Sequence, residues 1–215
     1  GHGVHSMPYN SAMEPAEVER LLAEAGALLR GHFRLSSGLH SEGYVQCARL
    51  FERPDAAARL CASLAARWRA GSGPVPPAVL GPALGAVLVA YEMARALGVR
   101  ALFAERAGAK GGAPGDDPFS LRRGFQLDGS DRVLLCEDVV TTGGSLAELV
   151  PLVRGSGARL AGAVAIVDRG GGKTLAVPRF EALLSVSFPA FEASACPACA
   201  RGDPVEVPGS RVRAP

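Results

Sequence analysis

The chain has 215 residues and a formal net charge of +2, which suits one domain with a full core and argues against a broad nucleic-acid surface. Although 48% of its residues are hydrophobic, no apolar run reaches the ~18 residues needed to cross a bilayer, so no membrane partner is expected. Five cysteines, an odd number, speak against a disulfide framework and for a reducing, cytoplasmic setting.

Residues 1–13, beginning Gly1-His-Gly-Val-His-Ser6, lack the apolar stretch of a signal peptide. They read as a cloning remnant or disordered leader, with a single domain over 14–215. Between Pro15 and Arg30, Val18, Leu21, Leu22, Ala25, Leu28 and Leu29 recur at helical spacing. Pro15 at the first turn and Gly31 beyond the last predict a helix over 15–30. Phe33 and Leu35 alternate, break at Ser36-Ser-Gly38, and resume at Tyr44 and Val45, which predicts a β-hairpin within 31–50. A second helix covers 54–69, with Leu60, Cys61, Leu64 and Trp68 on one side. Ala78-Val-Leu80 is a short buried strand, and Gly81-Pro-Ala-Leu-Gly-Ala86 leads into a helix over about 86–97. A Gly-rich strand-to-helix turn can hold an anion or serve as a packing turn. The strand 99–104 ends in Glu105-Arg106. Residues 107–118 carry no periodicity, and a segment of this length is usually a functional lid or disordered. Alternation resumes over 119–125, which contains Arg122 and Arg123.

The most informative stretch is Val133-Leu-Leu-Cys-Glu-Asp-Val-Val-Thr-Thr-Gly-Gly-Ser145. An apolar strand ends in two carboxylates, Glu137 and Asp138, and passes through a hydroxyl- and glycine-rich turn into a helix that runs to about Arg154. Backbone N–H groups of such a turn, reinforced by the helix dipole, form a cradle for phosphate. Thr141, Thr142 and Ser145 can donate to the same anion. Two acids beside that cradle would repel a polyphosphate, but they suit sugar hydroxyls or a hydrated cation. The ligand so described is a ribose 5-phosphate with a free diol. The pattern has neither the Gly-Lys-Ser/Thr of a Walker loop nor the Gly-x-Gly-x-x-Gly of a dinucleotide site. Strand 159–167 follows and ends in Asp168-Arg169-Gly-Gly-Gly172. An arginine at the carboxyl end of a strand in an open parallel sheet points into the ligand crevice. The last strand is expected at 180–188. In the tail, Cys196-Pro-Ala-Cys199 has no second Cys-x-x-Cys, so it reads as a poor zinc site without redox context. Strands alternating with helices predict an α/β fold with a mostly parallel sheet.

Residues 133–145 resemble the phosphoribosyl pyrophosphate (PRPP) motif of the type I phosphoribosyltransferases. The resemblance implies that family's fold: a mostly parallel central sheet flanked by helices, with a small N-terminal hood. Phe33-x-Leu-x-Ser-Gly-x-x-Ser-x-x-Tyr44 is similar to the hood signature of the orotate phosphoribosyltransferases. That likeness implies transfer of the 5-phosphoribosyl group from PRPP to orotate, giving orotidine 5′-monophosphate and pyrophosphate. It implies Mg²⁺ brought in with PRPP, with no direct protein ligand, and a homodimer whose mobile basic loop, 106–124, closes over the neighbouring subunit's site.

By the same resemblance, PRPP is held by Glu137, Asp138, Val139, Val140, Thr141, Thr142, Gly143, Gly144 and Ser145, with Arg106. Its pyrophosphate lies on Ala83, Leu84 and Gly85, where a non-proline cis peptide is expected at Ala83–Leu84. Orotate meets Thr141, Arg169 and Tyr44. The catalytic set is Asp138, Glu137, Arg106 and Arg123, with Arg122 less secure and Lys110 a solvated bystander. Many family members carry Lys where this chain has Ser36, so another group must replace that contact, and Arg34 is a weak candidate. The alternatives are a purine-type phosphoribosyltransferase and a PRPP-binding regulatory protein. The hood signature and Arg169 disfavour the first. The chain length and neutral charge leave no room for the added DNA-binding domain of the second.

Overall fold

The computed structural model describes residues 12–71, 73–106 and 117–208. Helix α1 spans Pro15–Glu24 and buries Val18, Leu21 and Leu22. It stops six residues short of the predicted end. Gly26 adopts φ +67°, which breaks the helix, and Leu28 and Leu29 enter strand β1 (Leu28–Arg34) instead. Their spacing fits both periods, and pairing with strand β2 (His40–Val45) decides between them. β1 and β2 form the expected antiparallel hairpin.

Helix α2 (Pro54–Ala70) buries Leu60, Cys61, Leu64 and Trp68 on one side. Strand β3 (Ala78–Pro82) is buried throughout. Helix α3 (Val87–Leu97) and strand β4 (Arg100–Arg106) follow. β5 is the short strand Phe119–Leu121, and β6 runs Arg132–Val140. Helix α4 (Gly144–Gly155) leads to β7 (Arg159–Asp168) and β8 (Phe180–Ser185). The final predicted strand is therefore shorter than 180–188. The chain then returns to the hairpin as β9 (Ala190–Phe191), before the short helix α5 (Pro197–Ala200).

The central sheet has the order β5-β4-β3-β6-β7-β8, with every pair parallel except β4–β5. Alternate strand residues divide into two cores. Val79, Leu134, Cys136, Val164 and Ile166 pack with α1, α2 and α3. Leu80, Val133, Leu135, Ala163 and Ala165 pack with α4 on the opposite face. Burial on both faces explains why these strands read as continuous apolar runs. A second sheet, β1-β2-β9, makes the hood. β3 proceeds outward to β4 and β6 outward to β7 in the other direction, so the strand order reverses between β3 and β6. A crevice opens at their carboxyl ends, where ligands of open α/β sheets bind.

Candidate active site

Two loops meet in that crevice. The first follows β3, and its Ala83–Leu84 peptide is cis, as expected. The Ala83 amide donates to the Ala104 carbonyl at 2.8 Å, which ties the loop to β4. The second follows β6 and forms a concavity of about 170 Å³ lined by Glu137 and residues 139–146. Asp138 bridges the two loops, because a Cβ placed on Gly85 would lie 3.3 Å from both of its carboxylate oxygens. Glycine at position 85 thus lets the backbone reach the carboxylate.

Gly143 sits at the N-cap of α4 with φ +82°. A Cβ there would stand 2.9 Å from Leu175 Cδ2 and 3.1 Å from the Gly171 carbonyl, so both conformation and space demand glycine. The turn leaves Thr141, Thr142, Gly144 and Ser145 exposed, and the only side chain on its amides among the described residues is Thr142, whose Oγ1 accepts from the Gly144 N–H at a long 3.4 Å. Amides and hydroxyls therefore point outward at a helix N-terminus, the arrangement that binds phosphate.

The acids differ in setting. Asp138 is half-buried and its Oδ1 accepts from the Val139 amide at 2.8 Å. Glu137 is buried at 8% exposure. Burial first, and then the neighbouring Asp138 charge, push its carboxyl from an ordinary 4.5 up to about 9. Glu137 therefore holds its proton at neutral pH and adds no charge to the site.

Arg169 follows β7. Its amide donates to the Val140 carbonyl at 2.8 Å, which fixes it beside the phosphate turn. Its guanidinium lies 5.9 Å from the Phe188 ring centroid. Its buried Nε has no hydrogen-bond partner, and among the described residues no acid pairs with it. The loop carrying it is shaped by Asp168, whose Oδ1 accepts from the amides of Gly170 and Gly172 at 2.9 and 3.0 Å. Thr174 Oγ1 donates to the Gly171 carbonyl at 2.8 Å and to the Thr142 carbonyl at 3.3 Å. The loop thus clamps the phosphate turn from behind.

The structure assembles the predicted residues unequally. Residues 83–85, 137–145 and Arg169 converge. Arg106 lies alongside α4, where it pairs with Glu148 at 2.7 Å and stacks on Phe119 at 4.1 Å. Arg123, at φ +56°, is held by Glu105 at 2.8 and 2.9 Å and stands apart from the phosphate turn. Arg122 is exposed, and Lys110 lies outside the described residues. Tyr44 packs near Phe33 in the hood, with ring centroids 6.1 Å apart, and its hydroxyl meets Gln46 Oε1 at 3.5 Å. Just beyond β2, the Cys47 thiol lies 3.8 Å from the Asp138 carbonyl.

Sequence reasoning missed Phe188. Its ring faces Arg169 on one side and occupies the space a Cβ on Gly43 would need, so it joins hood to crevice. Nothing in its local pattern marks it. It also missed the partners of the Cys-x-x-Cys: His32 and His40 stand beside Cys196 and Cys199. This histidine pair comes from the hood more than 150 residues upstream, and no second Cys-x-x-Cys is needed to bring four candidate ligand side chains together.

Comparison with known proteins is consistent with this geometry. The phosphoribosyl transferase domain family matches residues 51–180. The chain is 46% identical to the orotate phosphoribosyltransferase of Pelotomaculum thermopropionicum, over 91% of this chain and 97% of that one. It is 44% identical to that of Desulforamulus reducens, over 93% and 98%. The crystal structure of orotate phosphoribosyltransferase from Aeropyrum pernix superposes with a TM-score of 0.63 at 26% identity, covering 79% of this chain and 93% of that one.

Proposed function

The chain belongs to the phosphoribosyl transferase family and, within it, to the orotate phosphoribosyltransferases, and from that premise we infer how its residues divide the work. The enzyme transfers the 5-phosphoribosyl group of PRPP to orotate, forming orotidine 5′-monophosphate and pyrophosphate in pyrimidine biosynthesis. The assignment of roles rests most on Arg169: a half-buried arginine with an unpartnered Nε, fastened by its backbone to the phosphate turn. Leaving such a group unpaired is costly, and a planar carboxylate such as that of orotate would satisfy it with two parallel hydrogen bonds.

The amides and hydroxyls of residues 141–145 hold the 5′-phosphate. Asp138 and Glu137 meet the ribose hydroxyls, Glu137 through its retained proton. The loop at 83–85 receives the pyrophosphate. As the C1–O bond breaks, positive charge grows on the ribose and negative charge on the leaving group. Asp138 stabilises the first. Arg106 and Arg123 serve the second once they exchange Glu148 and Glu105 for pyrophosphate oxygens. Among the described residues the crevice offers no cage of protein oxygens for a cation. The donor set therefore fits Mg²⁺ arriving on PRPP, near Asp138, where it would neutralise pyrophosphate charge.

A homodimer is supported by Leu84, in the loop before α3, and by Leu88 and Tyr91 on α3, which are 88, 50 and 59% exposed. This patch adjoins the pyrophosphate loop, so a partner seated there would bring its own basic loop near the crevice. Among the described residues no helix is long and apolar enough to cross a membrane, and we place the enzyme in the cytoplasm. The test is pyrophosphate release from PRPP with single bases. Release with orotate, and not with adenine, hypoxanthine or uracil, supports the reading. Release with a purine, or equal release with uracil, which lacks the carboxylate, overturns it.

A further inference from the structure

The hood and the C-terminal tail meet at four side chains with no part in the transfer reaction. His32 on β1 and His40 on β2 present Nε2 and Nδ1 to each other at 2.7 Å. Cys196 Sγ lies 3.5 Å from His32 Nε2. Cys199 Sγ lies 3.6 Å from His32 Nε2 and 3.2 Å from His40 Nδ1. All four ligand atoms fall within 4.8 Å of one another. Zinc bonds of about 2.0–2.1 Å to nitrogen and about 2.3 Å to sulfur set tetrahedral ligand atoms about 3.3–3.8 Å apart. The three nitrogen–sulfur separations of 3.2–3.6 Å are close to that range, while the histidine pair must open and the widest pair must close from as much as 4.8 Å.

Three further observations point the same way. His32 directs its other ring nitrogen, Nδ1, at the Asp203 carbonyl, 2.9 Å away. That bond fixes the proton on Nδ1 and leaves Nε2 as a bare lone pair facing the cluster, the usual outer support of a metal-bound histidine. His32, His40 and Cys196 are 7, 6 and 4% exposed. Finally, the segment bearing the two cysteines adds little to the apolar core. Neither α5 nor the turn Ala193–Ala195 before it buries any residue. Yet the segment keeps a tight turn, with Gly202 at φ +74° and its amide donating to the Cys199 carbonyl at 2.9 Å. Small elements without an apolar core usually need a staple.

We propose that His32, His40, Cys196 and Cys199 bind one zinc ion that fastens the C-terminal tail to the hood. Four protein ligands close the coordination sphere, so the ion is structural. Two thiolates with two imidazoles in tetrahedral array select zinc over harder divalent cations. The staple closes a ring that β9 opens on β2, with His40 opposite Phe191. Glu206 completes it on β1 through backbone bonds to His32 and Arg34, each 2.8 Å. The tail thereby grips both edges of the hairpin that carries Tyr44. Metal binding needs neither PRPP nor orotate, so it stands or falls apart from the reading above.

The test is metal content by mass spectrometry on protein grown with zinc and purified under reducing conditions, then washed with a weak chelator. About one zinc per chain is expected, falling at least tenfold in the Cys196→Ser/Cys199→Ser double variant and in His40→Gln. Should these variants fail to fold, cobalt exchange into the wild-type protein decides, with thiolate-to-cobalt charge transfer and tetrahedral d–d bands expected. Limited proteolysis should then cut within residues 190–208 after strong chelation and not before. Wild-type protein that carries less than about a tenth of an equivalent and takes up no cobalt overturns the proposal. So does zinc retained in the double variant, or a Cys196–Cys199 disulfide in the protein as first purified under reducing conditions.

Discussion

Asp138 stands against Gly85 of the loop after β3, and on the proposed reading its charge is the part of the site that the reaction uses. Asp138→Asn keeps shape and burial while removing charge, so turnover should fall ~100-fold or more with the melting temperature little changed. Steady-state kinetics beside a thermal melt checks this, and wild-type turnover refutes the role. Glu137 behaves differently because it is buried. Its folded pKa, about 9, lies above the ordinary 4.5, so the folded protein keeps a proton that the unfolded chain loses. That contribution to stability is complete below about pH 4.5 and disappears as the pH rises through about 9. Melts of ligand-free protein across that window should decline with pH, and Glu137→Gln should flatten the decline. An unchanged slope would contradict the assignment. Arg169→Lys retains charge but loses the planar fork, and should raise the orotate KM ~10- to 100-fold without weakening PRPP. The candidacy of the acid pair was legible, because paired acids before Thr-Thr-Gly-Gly-Ser have little structural use. Their different burial was not, since it depends on which face of β6 meets the packed layers. Phe188 was equally hidden, as its role comes from proximity to Gly43 and Arg169 across the fold.

The acid pair sits at the end of β6 and the rest of the candidate site on loops, of which the loop after β7 carries Arg169. Asp168 accepts two backbone amides there, so Asp168→Ala should destabilise the protein by about 1–3 kcal/mol and release the segment bearing Arg169. A raised orotate KM together with a lower denaturation midpoint is the expected pair of results. A loss of stability with orotate binding intact would show that the loop does not position Arg169. Strands β3, β6 and β7 were readable as apolar runs, and α2, α3 and α4 by their period and turns. The first helix was overdrawn because Leu28 and Leu29 fit either period, and only pairing with β2 resolves them. β9 was unreadable: two residues carry no periodicity, and their strand character comes entirely from the hood edge they join.

At the scale of the molecule, two cores on opposite faces hold a sheet whose order reverses between β3 and β6, and that reversal places the crevice. The alternation of strands and helices made this architecture foreseeable. The closure of the hood by the tail was not, because the four converging side chains are separated by most of the chain. The exposed Leu84, Leu88 and Tyr91 set the expected assembly. Leu88→Glu with Tyr91→Glu should shift the mass in light scattering from dimer to monomer while the circular dichroism is kept, and a persistent dimer would place the interface elsewhere. The central claim is that main-chain amides at the start of α4 grip a phosphorylated sugar whose hydroxyls meet Asp138 and Glu137. A crystal structure with bound orotidine 5′-monophosphate measures this most directly. The account predicts the phosphate on the amides of residues 142–145, the ribose diol on the acid pair, and the orotate carboxylate on Arg169. A nucleotide bound with its phosphate away from that turn, or its carboxylate away from Arg169, would contradict it.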